Sequence, residues 1–254
     1  MSDRRVTLWS VPGIPLIQAG DDLAELIVDA VQRAGEHLHT NDVLVISSKI
    51  VSKSEGRMVD LQTVAPSEEA QALAEKTGKD PRIVELVLRE SSSVSRVAPN
   101  VLVTTHRLGF TSANSGIDQS NIEHGDTHAL LLPVDPDRSA AALRDRIESL
   151  TGALCGVVIS DSHGRPFRVG NIGVAIGAAG VTTVLDLRGS EDLYGRTLRV
   201  TVSGYGDLLA SAAHLICGEG ADGFPVVLVR GIPSVGPYGT AADLNRQPQH
   251  DLYR

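Results

Sequence analysis

The residues best suited to chemistry begin with Ser160-Asp161-Ser162-His163-Gly164-Arg165, which follows the apolar run Val157-Val158-Ile159. A short continuous apolar run is the pattern of a strand buried on both faces. The polar residues after it are expected to lie where that strand stops, the usual place for a site in α/β architecture. Asp161 and Ser162 offer hard oxygen ligands to a divalent cation, and Arg165 and Arg168 offer forks for phosphate or carboxylate. An ordinary strand-to-loop turn, with a capping aspartate and surface arginines, suits the same residues equally well.

Three further stretches carry related chemistry. Ser47-Ser48-Lys49 and the following residues to Arg57 place Lys49, Lys53 and several hydroxyls directly after a second apolar run, an edge suited to phosphate. A solvated loop or helix start is the alternative there. The small polar residues 109–121 include Asp118 and Asn121, three apart, a spacing that can put both side chains on one side. An Asx-type turn without a ligand accounts for them as well. Cys217-Gly218-Glu219-Gly220-Ala221-Asp222-Gly223-Phe224 combines two carboxylates with three glycines that let backbone approach a ligand, or that simply close a tight helix-to-strand connection.

Regular elements must hold these stretches in place. Strands are expected at residues 6–11, 42–46, 101–104, 129–134, 157–159, 198–203 and 226–229. Helices are expected at residues 23–34, 67–76, 81–90, 139–150 and 207–216. Pro12, Gly13 and Pro15 stiffen the loop after the first strand. Residues 170–180, GNIGVAIGAAG, lack the preceding strand and acidic partner of a dinucleotide fingerprint and are read as close packing against the site. The absence of G-x-x-x-x-G-K-[ST] and of G-x-S-x-G excludes an ordinary P-loop enzyme and a serine hydrolase of the usual kind.

The whole chain bounds these readings. Its 254 residues suit one large unit or two small ones, with 42% apolar and 21% charged residues. A net charge of -8 and 3% aromatic residues argue against a nucleic-acid partner. No apolar run is long enough to span a bilayer, and the opening MSDRRVTLW lacks a signal-peptide core. The two cysteines, Cys155 and Cys217, sit beside apolar runs and are expected to be buried free thiols in a reducing cytoplasm. Residues 232–254, rich in Pro, Gly and polar types, are expected to form a mobile tail.

Lysines, dispersed carboxylates and glycine-rich backbone together suit a nucleotide held through divalent metal. The motifs GIPLI from Gly13, SSKIVSKSEGR from Ser47, SGIDQSN from Ser115, ISDSHGRPFRVG from Ile159, DLYGR from Asp192 and GEGADG from Gly218 occur in one order. In that order the chain resembles the coenzyme F420-0:L-glutamate ligase family, the γ-glutamyl ligases of deazaflavin biosynthesis, over about residues 6–231. The resemblance implies a mixed α/β (α+β) fold of two intimately packed subdomains, forming an intertwined homodimer with nucleotide in a groove at the interface. It implies a GTP-dependent ligase that adds L-glutamate to F420-0 and then a second through a γ-linkage. Divalent metal (Mn2+ or Mg2+) and stimulation by K+ come with it. Carried over by position, Ile14, Pro15, Leu16, Ile17, Ser48, Lys49, Lys53 and Asn121 would touch GTP, and the loop from Cys217 to Phe224 (Gly218, Glu219, Gly220, Ala221, Asp222, Gly223) would wrap it. Asp118 and Asp161 would hold one metal, and Ser162 and Glu219 a second; Asp118, Asp161, Glu219 and Lys53 would form the catalytic set. Relatives commonly read Thr-Asp-Thr where this chain has Ser160-Asp161-Ser162, which keeps the hydroxyls, and Thr where it has Lys49. A ligase for another phosphorylated acceptor, or a nucleotide-binding regulator without turnover, would share much of this pattern, though a pure binder has no use for the full set of metal ligands.

Overall fold

The computed structural model describes residues 5–233 and 235–251. Strand β1 (Thr7–Ser10) leads through the proline loop into α1 (Leu23–Arg33), whose first turn is capped by the Asp22 carboxylate. Strand β2 (Val43–Ser47) passes directly into α2 (Ser48–Ser54). Next come β3 (Met58–Asp60), α3 (Glu68–Thr77), α4 (Pro81–Arg89) and a meander of β4 (Ser91–Ala98), β5 (Val101–His106) and β6 (Thr111–Ala113). After β7 (His128–Leu130) and α5 (Pro136–Thr151), a long hairpin joins β8 (Gly156–Arg165) to β9 (Arg168–Ala179). The strands β10 (Val184–Asp186) and β11 (Val202–Gly204), helix α6 (Tyr205–Cys217) and strand β12 (Val226–Arg230) complete the order.

The central sheet runs β1-β12-β2-β8-β9, with β2 and β8 parallel and the other pairs antiparallel. Its middle strands alternate between two cores, as a period of two requires. Leu44, Ile46, Val157, Ile159, Val226 and Leu228 pack with α1 and α5, while Val43, Val45, Val158, Val227 and Val229 pack with α6. Each such side chain contributes about 1.5–3 kcal/mol on burial, which is why these strands read as uninterrupted apolar runs. A separate apolar cluster, including Leu61, Ala70, Ile83, Val84, Val87, Leu102 and Leu131, lies under α3 and α4.

The mixed α/β class is as expected; several elements differ. Strand β8 does not stop at Ser160 but continues to Arg165, because β9 supplies an antiparallel partner for the polar half, Asp161 opposite Val174 and His163 opposite Ile172. The glycine-dotted stretch is therefore a strand. Its glycines do serve close packing: a Cβ at Gly173 would lie 2.4 Å from the Ala210 carbonyl of α6, and one at Gly177 would lie 2.3 Å from that of Pro136. Helix α5 starts three residues earlier than expected, with Pro136 at its first position and Asp135 as cap. Strand β4 is absent from the sequence reading because SSSVSRVA carries no apolar alternation, being largely exposed. The strands expected at 129–134 and 198–203 are shorter, at His128–Leu130 and Val202–Gly204.

The carboxyl-terminal stretch, expected as a tail, lies back against the body over residues 235–251. Asp137 accepts from the Ala241 and Ala242 amides at 2.7 and 3.2 Å, Asn245 Nδ2 donates to the Leu108 carbonyl at 2.8 Å, and Ala241 is buried in the α6-side core. Among the described residues no helix is long and apolar enough to cross a membrane.

Candidate active site

A cavity of about 1090 Å³ opens at the carboxyl end of the parallel pair β2 and β8, where Ser47 and Ser160 stand opposite each other. Four segments wall it. The loop after β1 contributes Ile14, Pro15, Leu16 and Ile17; Ile17 is buried and Leu16 stands out to solvent. Helix α2 contributes Lys49 and Lys53, which share a face because they are four apart.

The third segment is the loop 114–121. Ser115 anchors it from below: its buried hydroxyl lies 2.6 Å from both Ser91 Oγ and Thr104 Oγ1. Gly116, at φ +65°, brings backbone against Asp161, where a Cβ would lie 3.3 Å from Oδ2. Asp118 is held by backbone bonds to Leu130 and presents its carboxylate to Lys49 Nζ at 3.1 Å. Lys49 also donates to Ser120 Oγ at 3.1 Å, and Lys53 Nζ donates to the Asn121 carbonyl at 2.9 Å. Burial, then the charge of Lys49, lowers the pKa of Lys53, with Glu123 opposing.

The fourth segment is the loop after α6. Glu219 Oε1 accepts from Ser162 Oγ at 2.6 Å and lies 3.1 Å from His214 Nδ1. Asn121 Nδ2 reaches across to donate to the Gly220 carbonyl at 3.1 Å, so the third and fourth segments meet over the cavity. Burial, followed by the Glu219 charge, raises the Cys217 thiol, which stands half-buried in the wall and is no ready nucleophile. Cys155 is fully buried and pushed up to about 12 by burial first, then by Asp42.

Of the residues that the family resemblance places in the site, all but two line this one cavity: Ile14, Pro15, Leu16, Ile17, Lys49, Lys53, Asp118, Asn121, Asp161, Ser162, Cys217, Gly218, Glu219, Gly220, Ala221, Gly223 and Phe224. Arg165 and Arg168, read as forks for phosphate or carboxylate, do not line it: they stand opposite each other at the turn end of the β8–β9 hairpin. Ser48 turns beneath it, buried, and donates to Asp161 Oδ1 at 2.8 Å. Asp222 folds back on its own loop, accepting from the Gly220 amide at 3.3 Å. Sequence reasoning missed His214, whose partnership with Glu219 depends on a loop returning past its own helix. It missed Ser120, a two-residue neighbour of Asp118, and it gave no role to His163.

The four expected cation ligands in the lining, Asp118, Asp161, Ser162 and Glu219, offer only oxygens, which suits a hard divalent cation, while His124, His128, His214 and Cys217 line the same cavity. Ser160 Oγ, buried at the same wall, has no hydrogen-bond partner among the described residues. Among the described residues no three His, Cys, Asp or Glu side chains converge closely enough to cage a metal by themselves. A cation here would share its coordination with ligand or water oxygens, as Mg2+ commonly does.

A sequence model of the family described as F420-0:Gamma-glutamyl ligase matches residues 13–231. The chain belongs to this family. It is 47% identical over 243 residues to the coenzyme F420:L-glutamate ligase of Methanopyrus kandleri, covering 94% of this chain and 93% of the relative. Its identity to the protein of the same name from Methanothermobacter thermautotrophicus is 46% over 251 residues, 98% of this chain and 99% of that one. For the Archaeoglobus fulgidus protein, again of that name, it is 45% over 250 residues, 98% and 97%. The matched span of this F420-0:γ-glutamyl ligase family member runs from the Ile14 loop to the Phe224 loop, so all four cavity segments fall inside it.

Proposed function

We propose that this chain is a coenzyme F420:L-glutamate ligase of F420 biosynthesis, using GTP and a divalent metal to join L-glutamate to F420-0 and then a further glutamate through a γ-linkage. The observation that carries the reading is the convergence of Lys49, Lys53, Asp118, Asp161 and Glu219, from four separate segments, on one cavity large enough for a nucleotide and an acceptor. The names of the relatives supply the F420 acceptor and L-glutamate; GTP and the divalent metal are carried over from the family resemblance.

A carboxylate is a poor acyl donor, so amide formation requires its activation. One acceptor carboxylate oxygen takes the γ-phosphoryl group, the bond to the β-phosphate oxygen breaks, and GDP leaves. The free amine of glutamate then attacks the acyl carbon of this acyl phosphate; the C–O bond breaks, phosphate departs with its electrons, and the proton the amine loses leaves with it as hydrogen phosphate. Lys53 and Lys49 supply fixed positive charge to the phosphates. Asp118 with Asp161, and Ser162 with Glu219, would hold divalent cations. When bound, these cations neutralise charge on the phosphoryl oxygens. The Glu219 loop, tied to β8 through Ser162 and to the opposite wall through Asn121, would fold over the nucleotide and exclude water from the acyl phosphate. Potassium stimulation and a homodimeric working unit are carried over from the family resemblance.

The deciding experiment incubates the protein with GTP, Mn2+, F420-0 and glutamate and reads product masses. Acceptor heavier by one and then two glutamyl units, with GDP formed and no product when GTP or Mn2+ is omitted, is the expected result. An unchanged acceptor, or product without nucleotide, would overturn the proposal.

A further inference from the structure

Asp161 is held from two sides by groups that do not face the substrate. Its Oδ1 accepts from Ser48 Oγ at 2.8 Å, and its Oδ2 lies 3.0 Å from His163 Nε2. A carboxylate offers only acceptors, so the imidazole places its proton on Nε2 and donates. The ring cannot swing away. His163 is 6% exposed, its ring centroid is 4.9 Å from that of Phe110, and Phe110 stacks at 5.1 Å on buried His106. His163 and Phe110 also line a second cavity, of about 270 Å³, shared with Asn245 of the carboxyl-terminal stretch.

From this geometry we infer that His163 is a positioning residue, which locks the Asp161 carboxylate in the orientation that a divalent cation requires. The inference rests on the reading of Asp161 as a cation ligand. Each carboxylate oxygen has two acceptor positions. With one on each oxygen taken by Ser48 and His163, the other two are fixed in direction toward the cavity. Gly116 leaves no side chain between them and the loop that carries Asp118. Without His163, Ser48 alone restrains the side-chain torsion through Oδ1, and ligation must supply the rest of the restraint. Loss of an outer partner of this kind typically costs about 10–100-fold in metal affinity. A residue serving only to fill the core would alter the melting temperature and leave affinity alone.

His163→Leu keeps most of the volume and removes the donor, whereas His163→Gln places an amide N–H at similar reach. Mn2+ alone is titrated into the wild-type chain, both variants and Asp161→Asn, following the free-ion EPR signal. The Leu variant should bind Mn2+ about 10–100-fold more weakly, with the apparent KM for Mn2+ rising more than kcat falls. The Gln variant should stay within about threefold of wild type, since it keeps the donor. Wild-type affinity in the Leu variant, or equal impairment of Leu and Gln, overturns the inference. If Asp161→Asn also binds as wild type does, or if wild type binds no Mn2+, the reading of Asp161 as a ligand fails and the inference falls with it. Loss in Asp161→Asn alone defeats the inference and leaves that reading standing. A measurement on the unmutated chain covers a variant that does not fold: the His163 Nε2 proton should be visible by NMR and shift on adding Mg2+. An unprotonated Nε2, or a resonance indifferent to saturating Mg2+, overturns the inference equally.

Discussion

Replacing Lys53 by alanine separates nucleotide binding from folding. Lys49 and Lys53 look alike in sequence, yet the structure treats them differently. Lys49 is matched by Asp118 at 3.1 Å and by Ser120, whereas among the described residues the polar contact of Lys53 is one hydrogen bond to the Asn121 carbonyl. Its half-buried ammonium is disfavoured by burial and by Lys49, as its lowered pKa records. An arriving triphosphate relieves that situation. Two unit charges 4 Å apart interact by about 4 kcal/mol at an effective dielectric of 20. Desolvation of the phosphate and screening offset more than half, leaving roughly 1.4 kcal/mol, a tenfold change in binding. Removing the side chain loses one hydrogen bond, about 0.5–1.5 kcal/mol, and also removes a poorly solvated charge. The two nearly cancel in the nucleotide-free fold. Lys53→Ala should therefore raise the KM for GTP about tenfold or more and leave the melting temperature nearly unchanged. A bound triphosphate favours the ammonium, so wild-type GTP affinity should decline as pH rises through the lowered pKa of Lys53; the variant should lack that component. An unchanged KM removes Lys53 from the nucleotide site. A raised KM with a large fall in melting temperature shows instead that it acts by holding the Asn121 loop.

Three other outcomes test the framework. Gly173→Ala puts a methyl 2.4 Å from the Ala210 carbonyl and 2.7 Å from His214, so α6 must shift; urea unfolding should show a loss of about 1–3 kcal/mol together with a raised KM for GTP. Burial works to raise the pKa of Glu90, but His106, Arg107 and Arg57 more than offset it and hold it low. A depressed acid stabilises the fold above its unfolded pKa and loses that contribution as pH falls through the folded one. The stability gap between wild type and Glu90→Gln should thus be full at neutral pH and shrink below the ordinary glutamate range, as read by urea titration at stepped pH. Sedimentation of the active protein should show a dimer, and an active monomer at assay concentration would refute the proposed homodimer.

The parts of the fold legible in the sequence are those where burial dictates residue type. Val43 to Ile46 and Val226 to Val229 are buried on both faces, so their apolar runs announce strands. The caps Asp22 and Ser67 announce helices because each satisfies an orphan amide. Strand β8 was legible only to Ile159. Beyond it the polar residues are kept in the sheet by the hairpin pairing with β9, whose glycine-dotted sequence does not read as a strand, and by bonds to Ser48 and Glu219, which are distant in sequence. Strand β4 was illegible for the opposite reason, since little of it is buried. The site residues were legible as types in motifs. Their division of labour was not: Ser48 faces Asp161 and the cavity lining excludes it, while His214 serves Glu219 from a helix.

That division follows from the strand itself. Successive side chains of a strand point to opposite faces. The three apolar residues of β8 divide between the two cores in this way, Val157 and Ile159 toward α1 and α5, Val158 toward α6. The same alternation carries into its polar half. Asp161 is met by Ser48 at the start of α2, and Ser162 is met by Glu219, which His214 of α6 also contacts. The two proposed cation positions are therefore adjacent in sequence and served by opposite layers of the molecule. Neither half can shift along the strand without moving the other, because one backbone, paired to β9 at Asp161 and Ser162 and to β2 as far as Ser160, carries both. The loops complete the enclosure from outside, through the Asn121–Gly220 bond that joins the α2 side to the α6 side across the cavity. The paired strand thus fixes the separation of the proposed cation ligands, and the loops 114–121 and 218–224 close the cavity around them.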